Sequence, residues 1–148
     1  MMFDAVKGRI ADVDGIAGRI QAAADLSELM ARKLAPQGGD AAFILPLGLR
    51  GGAEKSMAGL YVQDINETLG IVLMIRAVGD TTGARSADRL VPIRDAVIRR
   101  IVGWSPPSGW LEGETVGHFT LSRGQLLTLS AGLLTYQLEF ALSDQLRI

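Results

Sequence analysis

The chain has no cysteine and a single histidine, His118. Without a thiol it forms no disulfide, no thiolate nucleophile and no cysteine-ligated zinc, and one imidazole cannot build a multi-histidine metal site. No uninterrupted apolar run approaches the ~18 residues that mark a membrane-spanning helix. Neither sign of charge dominates: 15 Lys and Arg stand against 16 Asp and Glu, for a formal net charge of −1. A dedicated nucleic-acid binder carries a basic face and a high isoelectric point, so this balance argues against that class while leaving room for a local basic patch. The first seven residues place Asp4 among them with no apolar core behind, unlike a secretion signal. The expectation is a soluble protein made in a cytoplasm, with no membrane partner.

What remains is globular chemistry. At 148 residues, 48% apolar and 21% charged, the chain suits one domain with a real core, spanning residues 1–148. Its organising stretch is 69–78. Leu69, Ile71, Leu73, Ile75 and Ala77 are apolar, and so are Val72, Met74 and Val78 between them. A half-exposed strand would alternate, so this reads as a strand covered on both faces, with a buried helix as the alternative. Layers elsewhere in the chain must cover it.

Taken in order, Phe3, Val6, Ile10 and Val13 recur at helical spacing, and Gly15 and Gly18 end that helix. A short extended segment is expected over 18–22. Asp25 with Glu28 three residues on resembles a capping box opening a second helix along Leu26, Leu29, Met30 and Leu34, closed by 35–39. Residues 41–47 read as a strand, with Pro46 near an end or on an edge. Four glycines and three charges make 48–59 a mobile loop by expectation, ordered only on assembly and removable over 51–56 without unfolding. A strand over 60–63, a turn at 64–67 and the 69–78 strand then suggest an antiparallel pair. After a polar connection at 79–85, Leu90, Ile93, Val97, Ile101 and Trp104 form one helical face. Pro92 fits only a first turn, so that helix starts near 91 or carries a kinked earlier turn from Ser86. Gly103 suits a left-handed position past the helix end, with Trp104 folding back as its hydrophobic contact. The last third reads as a meander of strands over 115–121, 125–129 and 133–142, with turns at Gly124 and Gly132. In the final strand Leu134, Tyr136, Leu138, Phe140 and Leu142 face one way.

No constellation here reads as catalytic. The 48–59 stretch lacks the closing Gly-Lys-Ser/Thr of a phosphate-binding loop, and Lys55 and Ser56 follow Glu54 rather than glycine. His118 has no Ser or Asp at triad-like spacing and reads as structural or exposed. Glu112 and Glu114 could hold a cation, but a solvated turn explains them. Arg99 and Arg100 could meet phosphate, yet near a helix C-terminus they also favour the macrodipole.

Three features together carry a likeness: a helix ending Ile101, Val102, Gly103, Trp104, Ser105, Pro106; a preceding strand introduced by Gln63; and a last strand running Tyr136, Gln137, Leu138, Glu139, Phe140. The chain resembles, over about 16–140, the tail terminator (tail completion) proteins of long-tailed bacteriophages and prophages. The Gly-Trp-x-Pro step is the sharpest part, and the glycine-rich stretch at 50–59 is longer than the family pattern. The resemblance implies an α+β fold, a mostly antiparallel mixed sheet with helices packed against it. It implies a virion protein, assembled in the host cytoplasm, that forms a hexameric ring on the head-proximal end of the tail tube. There it would stop growth of the tail tube protein and dock the head–tail connector protein, with DNA only passing through, no cofactor and no catalysis. Assembly contacts are then expected from Arg50, Glu54, Lys55 and Met57, and from Arg94, Asp95, Arg99 and Arg100 on the helix flank, with Gly103 and Trp104 as a structural anchor. A different head–tail connector or tube-like part is the alternative within phage particles. A small ligand-binding domain or enzyme is the alternative outside them, and it would need a pocket with converging polar groups.

Overall fold

The computed structural model describes residues 2–32, 39–76, 84–107, 117–130 and 132–148. Outside them lie Ala77, Val78, Leu34, most of the expected helix end at 35–39, most of the 79–85 connection, and the Glu112 and Glu114 pair. The elements run α1 (Met2–Ile10), β1 (Ile20–Ala22), α2 (Ala23–Arg32), β2 (Ala41–Glu54), β3 (Val62–Arg76), α3 (Ala84–Ile101), β4 (Phe119–Ser130) and β5 (Leu133–Arg147). The fold is α+β: a five-stranded mixed sheet of order β1-β2-β3-β5-β4 carrying the helices. Only β1 and β2 are parallel, and the other three pairs are antiparallel.

The two-sided burial expected for 69–78 is present in β3. Leu69, Ile71, Leu73 and Ile75 point into the main core with Val6 and Ile10 of α1 and Leu90, Ile93, Val97 and Ile101 of α3. Val72 and Met74 point the other way, into a smaller cluster with Leu26, Ala41 and Phe43. Thus α1 and α3 cover one face, and α2 covers the other only near its β1–β2 end. On β5, Leu134, Leu138, Phe140 and Leu142 are buried on the main-core side, following the expected alternation.

Several local expectations are corrected. The first helix stops at Ile10, and successive i→i+3 turns bring Val13 and Ile16 into the core. The second starts at Ala23, so Asp25 lies in its first turn and is not its cap. The expected loop at 48–59 is largely strand: β2 continues to Glu54 with bulges between Pro46 and Gly48 and between Gly51 and Glu54. Removing 51–56 would therefore cut a paired strand. The expected turn at 64–67 is also strand, since β3 is continuous and pairs residue by residue with β5. The antiparallel hairpin is β2 with β3. Its tip is a two-residue turn at Ala58 and Gly59, both at positive φ (52° and 81°), closed by reciprocal bonds between Met57 and Leu60. That is the mirror-image turn whose twist matches a hairpin, and glycine supplies its second position without strain. α3 begins at Ala84 and contains Pro92. Gly124 is no turn, because β4 passes straight through it.

Candidate assembly surfaces

The end of α3 is tied to β4. Gly103 has φ 79°, the left-handed conformation expected of it. Its amide donates to the Phe119 carbonyl (2.8 Å), and the Phe119 amide donates to the Trp104 carbonyl (3.0 Å). The chain leaving the helix is thus held to a strand by two backbone bonds, while the Ile98 and Ile101 carbonyls at the helix end accept from the Val102 and Trp104 amides. The Trp104 ring stacks on fully buried Phe119, centroids 6.0 Å apart, with the Arg9 guanidinium 5.4 Å above it. Arg9 Nε also donates to the Arg100 carbonyl (2.8 Å), placing a cation on the last turn of α3.

Arg100 closes the same corner from the other side, with its Nη1 2.7 Å from Asp12 Oδ1. The Arg100 hydrogen bond and charge hold the Asp12 carboxyl below the usual carboxylate range. Its contribution to stability is therefore present above that range and fades as pH falls through the lowered value. In Arg100→Ala, Asp12 should titrate back at the ordinary position, read by carboxyl NMR. An unchanged titration would show that the contact is not held in solution.

Arg94 and Asp95 pair with each other (3.0 Å), and that contact raises the arginine further above its ordinary value. Arg99 is exposed. The four helix charges expected at an interface thus divide: Arg100 is engaged with α1, Arg94 and Asp95 are neighbours in a pair, and Arg99 faces solvent. In the hairpin, Arg50 and Glu54 are exposed on β2, and Lys55 bridges to Asp64 of β3 (2.7 Å). Lys55 draws the Asp64 carboxyl below its usual range. Met57 is 75% exposed at the tip. The structure therefore brings Arg50, Glu54, Lys55 and Met57 onto one projecting hairpin, separate from the α3 flank.

Reading the sequence missed the sheet edges. β4 is an edge strand with Leu121, Leu126, Leu127 and Leu129 exposed. The far half of β2 carries exposed Leu47 and Leu49. β1 pairs only with Ala42 to Ile44, so beyond that point no described strand covers the outer side of β2. The available signal was leucine at both parities of β4, which a single covered face does not need. Beyond the Leu26, Phe43, Val72 and Met74 cluster, the sheet face away from α1 and α3 carries polar pairs, with Asn66 bonded to Ser143, Asp64 to Gln145, and Glu139 to Arg123 and Gln137.

His118 is exposed beside Phe119, and Lys55 and Ser56 form part of the hairpin end. Among the described residues no three His, Cys, Asp or Glu side chains gather to hold a metal, and no helix is long and apolar enough to cross a membrane. A recess between the turn after α1 and α3 has an apolar floor of Val13, Pro92, Ile93 and Ala96. Of its rim charges, Arg100 pairs with Asp12 and Arg89 with Asp40, while Asp14 is exposed.

A family model described as phage tail terminator protein matches residues 3–148. No curated protein matches the chain.

Proposed function

The chain belongs to the phage tail terminator family, and from that premise we propose that it caps the head-proximal end of the tail tube as a closed ring of six subunits. The family's role is structural, in the virion. The ring would stop addition of tail tube protein and present a docking surface to the head–tail connector protein, assembling in the host cytoplasm without membrane or cofactor. The observation that carries this reading is the family match along the whole chain.

The structure supports it physically. A tube grows because each layer offers the surface that accepts the next, a heterologous contact that stays open. A terminator matches that surface on one side only and closes within its own layer. Closure calls for two different lateral surfaces, and this sheet has two different exposed edges, β4 and far β2. Arg50 and Glu54 lie on the far β2 edge, where a lateral neighbour would meet them, and Lys55 and Met57 at the hairpin end are available to an axial neighbour. Arg94, Asp95 and Arg99 on α3 serve as rim charges that set geometry and association rate more than affinity. Arg100, held by Asp12, joins Gly103 and Trp104 in anchoring the helix end. The polar part of the face opposite α1 and α3, its Asp64 and Glu139 neutralised by Lys55 and Arg123, suits a lumen through which DNA passes without sticking.

A phage or prophage lacking this gene should make tails of irregular, excessive length that do not join heads, while heads still fill with DNA. Tails of normal length attached to heads would overturn the assignment. Tails of normal length left unattached would favour the alternative, a different head–tail connector part.

A further inference from the structure

Among the described residues the sheet has two uncovered edges, and they match one another in polarity, bulge spacing and side-chain parity. We propose that they form one joint: far β2 of one copy adds to β4 of the next copy as a staggered antiparallel pair, with β1 setting the stagger. The proposal rests on the ring reading and specifies how the ring closes.

Polarity comes first. β2, β3, β5 and β4 are successively antiparallel, so β4 runs opposite to β2. Copies repeated head to tail around an axis therefore bring β4 and β2 together antiparallel. A two-fold β4–β4 pair would leave the β2 edge bare and end at two subunits, whereas the head-to-tail joint covers both edges of every subunit.

The bulges supply the register. On β2 they fall between Pro46 and Gly48 and between Gly51 and Glu54; on β4 they fall between Leu121 and Arg123 and between Leu126 and Thr128. A bulge bends and twists its strand, so paired strands join best when they bend at the same places. Setting Leu49 opposite Leu126 brings both bulges of β2 beside both bulges of β4. Leu49 pairs with Glu67, which faces Leu142; Leu126 pairs with Tyr136. Leu142 and Tyr136 are an even number of residues apart on β5, so Leu49 and Leu126 share a sheet face. They are 51% and 52% exposed, an apolar pair waiting for cover. The same register sets Arg50 against Gln125 and Gly51 against Gly124, with no like charges directly opposite.

The stagger follows from β1. Across the sheet, Leu126 lies level with Ala42 through Tyr136 and Leu73. That part of β2 is occupied by β1. The joint instead sets Leu126 beside Leu49, which is level with Glu67, six residues along β3 from Leu73. At ~3.4 Å per residue the shift is about 20 Å, and four strands ~4.8 Å apart are about 19 Å wide. The strands then tilt by about 45° to the ring axis, at the top of the range for closed sheets. A single joint of this length buries on the order of several hundred Å², below the ~1,200 Å² of stable complexes, so free subunits stay apart until a tube end collects them.

Because the chain is cysteine-free, the joint can be read by paired substitutions. Leu49→Cys with Leu126→Cys should give, on oxidation, a ladder of covalent multimers ending at a closed ring, both in purified tails and in concentrated purified protein. Three results would overturn the proposal: no ladder from this pair, a ladder from Gln21→Cys with Gln125→Cys (a level joint through β1, since both are level with Val72 and Gln137), or efficient dimers from Leu126→Cys alone. Tails that lack the chain altogether would overturn the terminator reading, and the concentrated purified protein would then decide the joint by itself.

Discussion

Phe119→Ala is expected to lower stability by about 3–5 kcal/mol, the range for truncating a buried aromatic. Phe119 is completely buried and sits at the start of β4. Its ring supports Trp104, and its backbone exchanges bonds with Gly103 and Trp104. The substitution therefore opens a cavity and loosens the only backbone hydrogen bonds described between the α3 end and the sheet. Whole-domain stabilities are about 5–15 kcal/mol, so the loss is a large part of the total. At this chain length it corresponds to a fall of roughly 10 °C in Tm. Leu121→Ala, two residues on but exposed, is the control and should change stability by less than about 1 kcal/mol. Thermal unfolding of the two variants checks this. Equal melting points would show that the Trp104–Phe119 corner does not anchor the helix.

The second large effect falls on assembly and leaves the fold intact. Leu126→Arg should melt within about 0.5 kcal/mol of the parent, since the side chain is half in solvent already. At the proposed joint, however, the arginine would be desolvated against Leu49 without a partner. An unpaired charge of that kind costs about 2–5 kcal/mol, and the cost recurs at every joint of a ring. Infectious titre should fall by at least ~100-fold, with overlong tails in the lysate. Adding Leu49→Glu supplies the missing partner and should restore much of the titre, while Leu49→Glu alone should be defective. A Leu126→Arg phage of normal titre would remove β4 from the interface.

The sequence revealed the core more readily than the edges, and the reason is physical. A strand buried on both faces leaves no choice of residue type, so 69–76 reads directly. The stripe from Leu90 to Ile101 and the left-handed Gly103 are equally forced by packing and by backbone geometry. Far β2 misleads because Gly51 and Gly52 look like loop punctuation. Gly52 marks close approach instead, since a Cβ there would lie 3.1 Å from the Asp64 carbonyl, whereas a Cβ on Gly51 would meet only the movable end of the Gln63 side chain. Gly124 misleads in the same way, since a Cβ there would lie 2.6 Å from the Tyr136 hydroxyl. Asp64 and Asn66 look like part of a turn because their polarity comes from facing a polar stretch of the sheet, where they find partners across on β5. Local composition cannot separate a polar strand face from a polar turn. The edge leucines of β4 stayed hidden because only the strand order reveals that, among the described residues, β4 has a strand neighbour on one side alone.

That strand order also has a consequence during synthesis. The sheet runs β1-β2-β3-β5-β4, so the strand made last lies between β3 and β4. On the ribosome, β1, β2 and β3 can pair as they emerge, but β4 must wait, without any sheet to join, until β5 has followed it. Before then the leucines of β4 belong to a nascent segment and not to an ordered edge. In the proposed ring, a subunit would thus become competent to join its neighbours only after translation has passed β5, so truncated products and polysome neighbours would offer no rigid second edge to nucleate premature rings. In the alternative order, with β4 and β5 exchanged, the leucine-bearing strand would pair with β3 at once and could recruit partners while synthesis continued.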